Sequence, residues 1–380
     1  MNPLNTNPVF EVNVEGLQEL AGERKVRRMF VAPDRRLLDI ATDRIGAFDQ
    51  PHVTEKGEPA HYAGKGIILT EFSKWGKKEA MFLMPTDYID PEPYKELIPE
   101  EYRDRLSVHE PAQEAIKFEF ICRTGCEGSM AEKAAQGKLV CGQELPKGLA
   151  LGDVLPRPYF TPTTKAPKGQ KDQDILIQDY LGLFRDEEMA QYLYGMTVLL
   201  HLRNKWMARI CGLDRPDQKM EFFIFDSGMP NNYQQSRFDW SETEVADTFG
   251  RFCLGAGLAH DSWREMPGFD LAKFCGFAKK NQKSGQVRLG DEFGSTDDGR
   301  YRSLQDTFLG RKLMKDGKPD LAMAFLLNYL CKEFFRTVSK ETGQGGYEKK
   351  ASQKVVVPDW VLAETSKRNL RALLMLTQGK

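Results

Sequence analysis

The sequence lacks several features that would assign a protein class at once. None of its 380 residues belongs to a run of about 20 apolar residues, the length that crosses a bilayer. The N-terminal Met1–Glu15 segment lacks the basic-then-apolar order of a signal peptide. Lysine plus arginine (54) balances aspartate plus glutamate (55), without the basic excess typical of nucleic-acid binders. We therefore expect a cytoplasmic protein with no membrane association and no nucleic-acid partner.

Common catalytic motifs are also missing. There is no GxxxxGK followed by Ser or Thr, and no GxSxG, which excludes a P-loop and a nucleophile elbow. The five histidines form no triad and no zinc-ligand spacing. The seven cysteines are odd in number and contain no CxxC pair, which predicts reduced, partly buried thiols.

The composition is that of a folded protein, with 41% hydrophobic and 29% charged residues. The length suits roughly two domains. The pattern of residues 25–32 and 37–42, with a Pro-Asp turn between them, predicts an N-terminal hairpin. Residues 84–115 show no clear periodicity, and we expect them to form the passage between domains, with a boundary near residue 115.

The second half has clearer signals. Residues 116–122 alternate and predict a strand, whereas the Gly- and Pro-rich residues 142–174 predict a long ordered loop. Residues 186–210 place Met and Leu at helical spacing and predict a buried helix. Residues 220–225 predict a buried strand that ends at Asp226.

The segment Thr42–Asp49 (TDRIGAFD) is the first of three polar clusters. It places two carboxylates and Arg44 in a glycine-containing turn at a strand end. The Arg44 guanidinium can fork onto a carboxylate or a phosphate. A local Asp–Arg network within the turn explains the pattern equally well, so both interpretations stay open.

The segment Arg123–Ser129 (RTGCEGS) is the second cluster. An arginine directly after a strand meets a glycine-containing turn and a hydroxyl. Backbone N–H groups, a hydroxyl and an arginine together can bind an anion. The alternative is an ordinary surface turn.

The segment Asp291–Arg300 (DEFGSTDDGR) is the third cluster. It carries four acids and one arginine. Clustered oxygen ligands at a strand end suit Mg²⁺ that bridges nucleotide phosphates. The alternative is a solvated acidic loop.

In order and spacing, these clusters resemble the SAICAR synthetase family. Ala41–Asp49 (ATDRIGAFD) resembles the family's ATDRISAFD, and Gly64–Ser73 (GKGIILTEFS) resembles its GKG..LT..S segment. Asp291–Tyr301 keeps the spacing of the family's DEVLTPDSSRF. The longest match lies within Val140–Ala166 and includes LPRPYFTPTTKA. On these segments the chain is identified as a divergent member of the family.

The resemblance implies an α+β fold. A small N-terminal β-rich domain (residues 1–115) would lie over a larger α/β domain (residues 116–380), with ATP in the cleft between them and an inserted segment at about residues 227–284. The family's reaction joins the carboxylate of CAIR, a phosphoribosyl-aminoimidazole, to the amine of aspartate in purine biosynthesis, through an acyl phosphate. The resemblance therefore implies ATP and Mg²⁺, a phosphoribosylated small-molecule substrate and an amino acid such as aspartate; assembly into a homo-oligomer is left open.

The family's functional residues carry over by matching position. Those expected to bind ATP are Lys25, Arg27 and Glu119. Those expected to hold the ribose phosphate or the imidazole carboxylate are Arg44, Arg123, Ser129 and Arg300. Those expected at the reaction centre are Asp226, Asp291 and Arg44, and those expected to bind the metal are Asp291 and Glu221.

One family strand, DTKFEFG, supplies a lysine and a metal-binding glutamate, and it matches here in two registers. Residues 217–222 (DQKMEF) keep the motif letters but lack an apolar strand before them. Residues 222–228 (FFIFDSG) keep the apolar strand and Asp226 but replace the lysine and the glutamate. Strand context slightly favours the second register, and Glu221 is retained from the first.

Other departures leave two alternatives. Lys171-Asp172 replaces the family's His-Asp, and Gln305–Thr307 replaces its Asp-Lys-Gln. One alternative is a divergent paralogue that ligates or phosphorylates a related imidazole or nucleotide substrate in nucleotide or nucleoside-analogue metabolism. The other is a catalytically inactive nucleotide-binding protein.

Overall fold

The computed structural model describes most of the chain. The described residues are 2–20, 26–47, 50–51, 53–54, 56–166, 172–226, 228–229, 238–290, 293, 301–318, 356–357 and 359–378. Three predicted site residues, Lys25, Asp291 and Arg300, lie outside these ranges. Within them, no helix combines the length and apolar character that a membrane span requires.

The N-terminal part is dominated by an antiparallel sheet. Its elements are β1 (Gln18–Glu19), β2 (Arg27–Val31), β3 (Leu37–Ala41), β4 (Gly46–Ala47), β5 (Gln50–Pro51), β6 (Val53–Thr54), α1 (Lys65–Ala80), β7 (Tyr88–Ile89), β8 (Leu106–His109) and β9 (Glu114–Ala115). The strand order is β1-β2-β3-β8-β7. The predicted hairpin is confirmed as β2 and β3.

The assignment of residues 84–115 to an interdomain passage is wrong for β8. This strand pairs with β3 inside the sheet, with Leu38 opposite Val108. All four of its residues are buried. Its sequence (LSVH) alternates apolar and polar residues, but a run of four residues in a segment without other periodicity is a weak sequence signal.

The rest of the described chain contains a second sheet with helices packed around it, and a few short strands outside that sheet. Its elements are β10 (Phe118–Gly125), α2 (Ser129–Ala135), β11 (Val154–Phe160), β12 (Thr163–Thr164), α3 (Ile177–Gly182), α4 (Glu187–Ile210), β13 (Leu213–Asp214), β14 (Asp217–Ile224), α5 (Glu242–Gly255), α6 (Leu271–Ser284), β15 (Val287–Gly290), β16 (Arg302–Ser303), α7 (Leu304–Lys315), β17 (Val356–Val357) and α8 (Asp359–Gln378). The path of the sheet is β11-β10-β14-β15, with β12 on β10 and β9 on β14.

Residues 142–174 are not a plain loop, because they contain β11 and β12. Two prolines, Pro156 and Pro158, lie within β11. Proline cannot donate a hydrogen bond to a neighbouring strand and is therefore confined to sheet edges. The β11 strand is at the end of the sheet path, where this is tolerated.

Helix α4 forms the centre of the main core, as its apolar spacing predicts. The Asp186 side chain caps its N-terminus by accepting a hydrogen bond from the Met189 backbone N–H at 3.2 Å. Tyr194 stacks on Phe160 of β11, with 4.3 Å between ring centroids. Thus α4 covers one face of the second sheet.

The predicted insertion, residues 227–284, contributes α5 and α6, which pack on α4. Gly195 of α4 permits this approach, because a Cβ there would lie 2.4 Å from the Phe274 ring. The two helices therefore extend the core behind the sheet.

The two sheets meet at Asp87 and Leu289. The Asp87 backbone N–H donates to the Leu289 carbonyl at 2.9 Å, and the Leu289 N–H donates to the Pro85 carbonyl at 3.1 Å. Beside them, Arg288 pairs with Glu110 at 2.7 Å. The boundary near residue 115 stays a prediction.

The described cysteines are free thiols, five buried and Cys211 partly exposed, as the sequence predicts. Cys331 lies outside the described residues.

Candidate active site

Strands β10 and β14 carry a row of charged residues on one face. Alternate residues of the pair face α4: Thr124 contacts His201, and Gln218 contacts Asn204. Because successive strand residues point to opposite faces, the residues between them project away from α4. These are Glu119 and Arg123 on β10, and Asp217, Lys219 and Glu221 on β14.

A four-residue ionic cluster forms on this face. Lys219 Nζ lies 2.9 Å from Glu119 Oε1 and 3.1 Å from Glu221 Oε1. Lys165, which follows β12, also pairs with Glu221. The Thr163 hydroxyl donates to Glu119 at 3.4 Å. The cluster brings two carboxylates and two ammonium groups together on the sheet.

This geometry bears on the two registers of the lysine–glutamate motif. The prediction that the strand starts at Met220 is wrong, because β14 begins at Asp217. The motif letters of residues 217–222 therefore lie on a strand after all, with Lys219 opposite Ile121 of β10. Asp226 lies beyond the end of β14 and is exposed. The first register places its lysine and glutamate beside Glu119, and we favour it.

The fit of Mg²⁺ can be judged from the carboxylates. In the described ranges, no group of three or more His, Cys, Asp and Glu side chains is arranged to hold a metal ion. Glu221 and Glu119 supply oxygen donors of the type that Mg²⁺ prefers. Glu221 pairs with Gly290 across β14 and β15, and Asp291 is the next residue in the chain. The described residues therefore supply two carboxylates of a suitable type, both paired with lysines, but no assembled Mg²⁺ site.

Arg123 lies at the other end of the charged face. Its Nε donates to the Thr161 hydroxyl at 3.2 Å, and its Nη1 lies 3.4 Å from Asp217 Oδ2. The side chain is thereby held at two points while its fork stays on the face opposite α4. Ser129 is exposed at the first residue of α2, six residues further along the chain.

Behind Arg123, a buried polar cluster supports the strand. The Thr124 hydroxyl lies 2.8 Å from His201 Nε2. Burial lowers the pKa of His201 well below its ordinary value, and the nearby cations Lys205 and Arg215 lower it further. Lys205 is itself fully buried and donates to Asp214 at 2.6 Å. His201 is therefore neutral in the folded protein at neutral pH.

The Thr42–Asp49 turn contains a structural aspartate. Asp43 accepts hydrogen bonds from the Val9 N–H at 2.8 Å, the Gly66 N–H at 2.9 Å and Arg105 Nη1 at 2.8 Å. These partners lie outside the turn, so the network differs from the local Asp–Arg network within the turn that the sequence left as one interpretation. It joins the turn to the first residues of α1.

Arg44 is held separately, since its guanidinium pairs with Glu11. Among the described contacts, none joins Arg44 to Arg123 or Ser129. On β2, Arg27 pairs with Asp39 of β3, with 2.6 Å between Nη1 and Oδ2. The structure thus brings Glu119 and Glu221 together and places Arg27 and Arg44 on the N-terminal sheet and its following turn.

Two residues of the ionic cluster were missed as site candidates, Lys165 and Lys219. The signal for Lys219 was present, since residues 217, 219 and 221 are charged at the period of a strand. Lys165 had no such pattern. Its role depends on β12 pairing with β10, which places Thr163 opposite Glu119.

Comparison with known proteins identifies the family and the fold. Residues 20–229 match the model of the family described as SAICAR synthetase. The chain is similar to the phosphoribosylaminoimidazole-succinocarboxamide synthases of Halorhodospira halophila, at 31% identity, and Bordetella petrii, at 30%. Each match covers 59% of this chain and 74% of the relative. A structure of SAICAR synthase from Saccharomyces cerevisiae, complexed with SAICAR, has the same fold, with a TM-score of 0.60, 19% identity and 98% coverage of both chains.

Proposed function

The chain belongs to the SAICAR synthetase family of ATP-dependent carbon–nitrogen ligases in purine biosynthesis, and we propose that it joins the carboxylate of CAIR to the amino group of aspartate. The observation that carries the proposal is the Glu119–Lys219–Glu221–Lys165 cluster, which supplies both charge types that a nucleotide–metal complex needs. The residues involved lie on the same sheet as Arg123, the proposed anchor of the phosphorylated substrate.

The proposed reaction consists of two transfers. A carboxylate oxygen of CAIR attacks the γ-phosphorus of ATP, and ADP leaves, which gives an acyl phosphate. The amine nitrogen of aspartate then attacks the acyl carbon, inorganic phosphate leaves, and the nitrogen loses a proton. No protein nucleophile is needed, so catalysis rests on positioning and on neutralisation of charge.

The nucleotide would lie between the N-terminal sheet, residues 1–115, and the charged face of β10 and β14. Lys219 and Lys165 would neutralise its phosphates, with Arg27 and Lys25 of the hairpin contacting them from the other side. Glu119 would contact the nucleotide. Lysines next to carboxylates suit this task, because the polyphosphate and its cation bind as one unit.

Mg²⁺ would be held by Glu221, which pairs with Gly290 across β14 and β15, and by Asp291, the next residue in the sequence. When bound, the ion would neutralise charge on the transferred phosphate. Asp226 would have no direct part in the reaction under the favoured register.

The phosphoribosylated substrate would bind at the Arg123 end of the face. Arg123 presents a planar fork suited to a phosphate or a carboxylate. Arg44, Ser129 and Arg300 would complete this site by their match to the family's residues. Aspartate would approach the same carboxylate as the second substrate.

A direct assay tests the proposal. The protein is incubated with Mg-ATP, CAIR and aspartate, and ADP release and SAICAR formation are followed. We expect both products, each dependent on all three substrates. ADP release only with another imidazole carboxylate would replace the proposal with the paralogue alternative, which the departures at Lys171 and Gln305–Thr307 favour. Nucleotide binding detected by calorimetry, with no ADP release from any imidazole carboxylate, would favour the inactive nucleotide-binding protein.

A further inference from the structure

A network of buried ionisable side chains lies at the junction between the two sheets. Its members are Arg27, Asp39, His109, Asp87 and Lys77. The last four expose between 1% and 8% of their surface. Burying so many ionisable groups is costly, and well-packed apolar residues of similar volume often give equal or greater stability. The arrangement therefore calls for an explanation beyond stability.

Each of these groups contacts the next one in space, and together they connect three elements. Lys77 Nζ of α1 donates to Asp87 Oδ1 at 2.7 Å. His109 of β8 places Nδ1 3.0 Å from Asp87 Oδ2 and 3.2 Å from Lys77 Nζ. Its other ring nitrogen, Nε2, lies 3.9 Å from Asp39 Oδ2. The imidazole thus stands between two buried carboxylates.

One end of this network of ionisable side chains reaches the β2–β3 hairpin, which is proposed to bind the phosphates. Asp39 Oδ2, which faces His109, also accepts from Arg27 Nη1 at 2.6 Å. Asp39 lies on β3 opposite Met29, so the pair is fixed by the hairpin register. The orientation of Arg27 therefore depends on where Asp39 is held.

The other end of the network reaches β15, the strand that precedes the proposed metal ligand Asp291. The Asp87 carboxylate packs against Gly290, where an added Cβ would lie 3.0 Å from Asp87 Oδ2. The Asp87 backbone N–H also donates to the carbonyl of Leu289, the residue before Gly290. Gly290 pairs with Glu221 and directly precedes Asp291 in the chain. The position of Asp87 is thus coupled to the end of β15.

We propose that His109 and Asp87 are positioning residues that hold Arg27 on the N-terminal sheet and the end of β15 on the second sheet at one fixed separation, as binding of a metal–nucleotide triphosphate requires. The proposal rests on the proposed function, since it assumes that ATP lies between these two elements. Neither residue touches the nucleotide. They act through Arg27 and through the strand that leads to Asp291.

The test uses His109→Gln and Asp87→Asn in the full chain. Mg-ATP binding is measured by calorimetry without the other substrates, and the KM for ATP and for the imidazole substrate in the complete assay. Supporting groups around a metal site typically change affinity by about 10- to 100-fold. We expect Mg-ATP binding to weaken about tenfold, with a matching rise in the KM for ATP and an unchanged KM for the imidazole substrate.

Glu79→Gln is the matched control. Glu79 is on α1, two positions from Lys77, and pairs with Arg203 of α4 at 2.5 Å. This variant removes an ion pair from the same helix but on a path that does not lead to Arg27. Its affinity for Mg-ATP should equal that of the unmodified chain.

A double-mutant cycle separates positioning from general loosening. If His109 acts through Arg27, then Arg27→Ala combined with His109→Gln should weaken Mg-ATP binding little more than Arg27→Ala alone. Additive losses, or equal rises in both KM values, would overturn the proposal. Where His109→Gln fails to fold, Asp39→Asn takes its place in the cycle with the same expectation.

The outcomes also separate the two proposals. Failure of the unmodified chain to bind Mg-ATP overturns the proposed function and, with it, this inference. Normal binding by the unmodified chain and by both variants overturns the positioning role alone.

Discussion

The Lys219 ammonium lies 2.9 Å from the Glu119 carboxylate, across two adjacent strands and on the face of the sheet opposite α4. Glu221 completes the arrangement from the same strand as Lys219, at 3.1 Å. Neither contact joins residues that are neighbours in a helix or a turn. The first contact exists because the strands are paired with Ile121 opposite Lys219. The second joins alternate residues of β14, which point to the same face.

The choice between the two motif registers gives the first prediction. Glu221→Gln should lower kcat/KM by about 10²-fold, because it removes one of the charged groups proposed to hold the metal–nucleotide complex. The isosteric change should leave the unfolding temperature close to that of the unmodified chain. Initial rates of ADP release with CAIR and aspartate measure the effect.

Asp226→Asn supplies the comparison. The favoured register predicts that its rate stays within a few-fold of the unmodified chain, whereas the other register predicts the larger loss at Asp226. A large loss in Asp226→Asn, with normal rates in Glu221→Gln, would reverse the assignment of the strand.

Arg123 gives the second prediction. Arg123→Ala should raise the KM for the phosphoribosylated substrate by about 10- to 100-fold, since hydrogen bonds to charged groups contribute about 1.5–3 kcal/mol each. Arg123→Lys should give an intermediate value, because it keeps the charge and loses the planar fork. The KM for ATP should not change. Arg300→Ala carries the same expectation from its match to the family.

The control for Arg123 is Arg251→Ala. Arg251 is a half-exposed arginine on α5 that pairs with Glu244 and Asp247. The Arg251→Ala variant removes the same charge at a position that is distant from β10 in the sequence. An unchanged KM for the imidazole substrate in Arg123→Ala would remove Arg123 from the substrate site.

How far the sequence predicts this site depends on the type of interaction. The hairpin, helix α4 and the thiols follow from local patterns. The turn at Asp43 allowed a local Asp–Arg network as one interpretation, but the observed partners Val9 and Arg105 lie 34 and 62 positions away in the chain. No local pattern specifies contacts at such separations.

The start of β14 shows where local reasoning failed. A strand in the interior of a protein is expected to be apolar, so the three charged side chains within residues 217–221 predict a later strand start, at the apolar residues that follow. The charges alternate with Gln218 and Met220, which face the core, so the strand is amphipathic. Its polar face belongs to the proposed active site, where sequence rules derived from packing are expected to fail.

Gly66 gives the third prediction. A Cβ at this position would lie 2.5 Å from the Ala41 carbonyl oxygen and 2.5 Å from Arg105 Nη1. Gly66→Ala should therefore displace Arg105 from Asp43 and shift the turn that carries Arg44. We expect a loss of about 1–3 kcal/mol in the free energy of unfolding, measured in urea, together with a raised KM for the imidazole substrate.

Gly182→Ala is its control, because a Cβ at Gly182, the last residue of α3, meets no atom within 4 Å. It should change stability by less than about 1 kcal/mol. Equal stability in the two variants would mean that the tight contact at Gly66 can relax without cost.

His201 gives the fourth prediction, a pH dependence of stability. Burial, reinforced by Lys205 and Arg215, keeps the folded-state pKa of His201 well below the ordinary value of 6.5, and the opposing effects of Asp214 and Asp217 are smaller. Below pH 6.5 the unfolded chain therefore binds a proton that the folded chain does not. Stability is fully present above pH 6.5 and should fall as the pH drops below it, by about 1.4 kcal/mol per pH unit from this group alone.

The measurement is urea unfolding of the unmodified chain and His201→Gln between pH 7.5 and pH 5. Glutamine does not titrate, so the difference between the two stability curves isolates the histidine from the carboxylates that both proteins share. His201→Gln should start less stable, because it disturbs the contact with Thr124, and should lose less stability as the pH falls. Parallel curves would mean that His201 takes up its proton in the folded state, which the neighbouring cations Lys205 and Arg215 oppose.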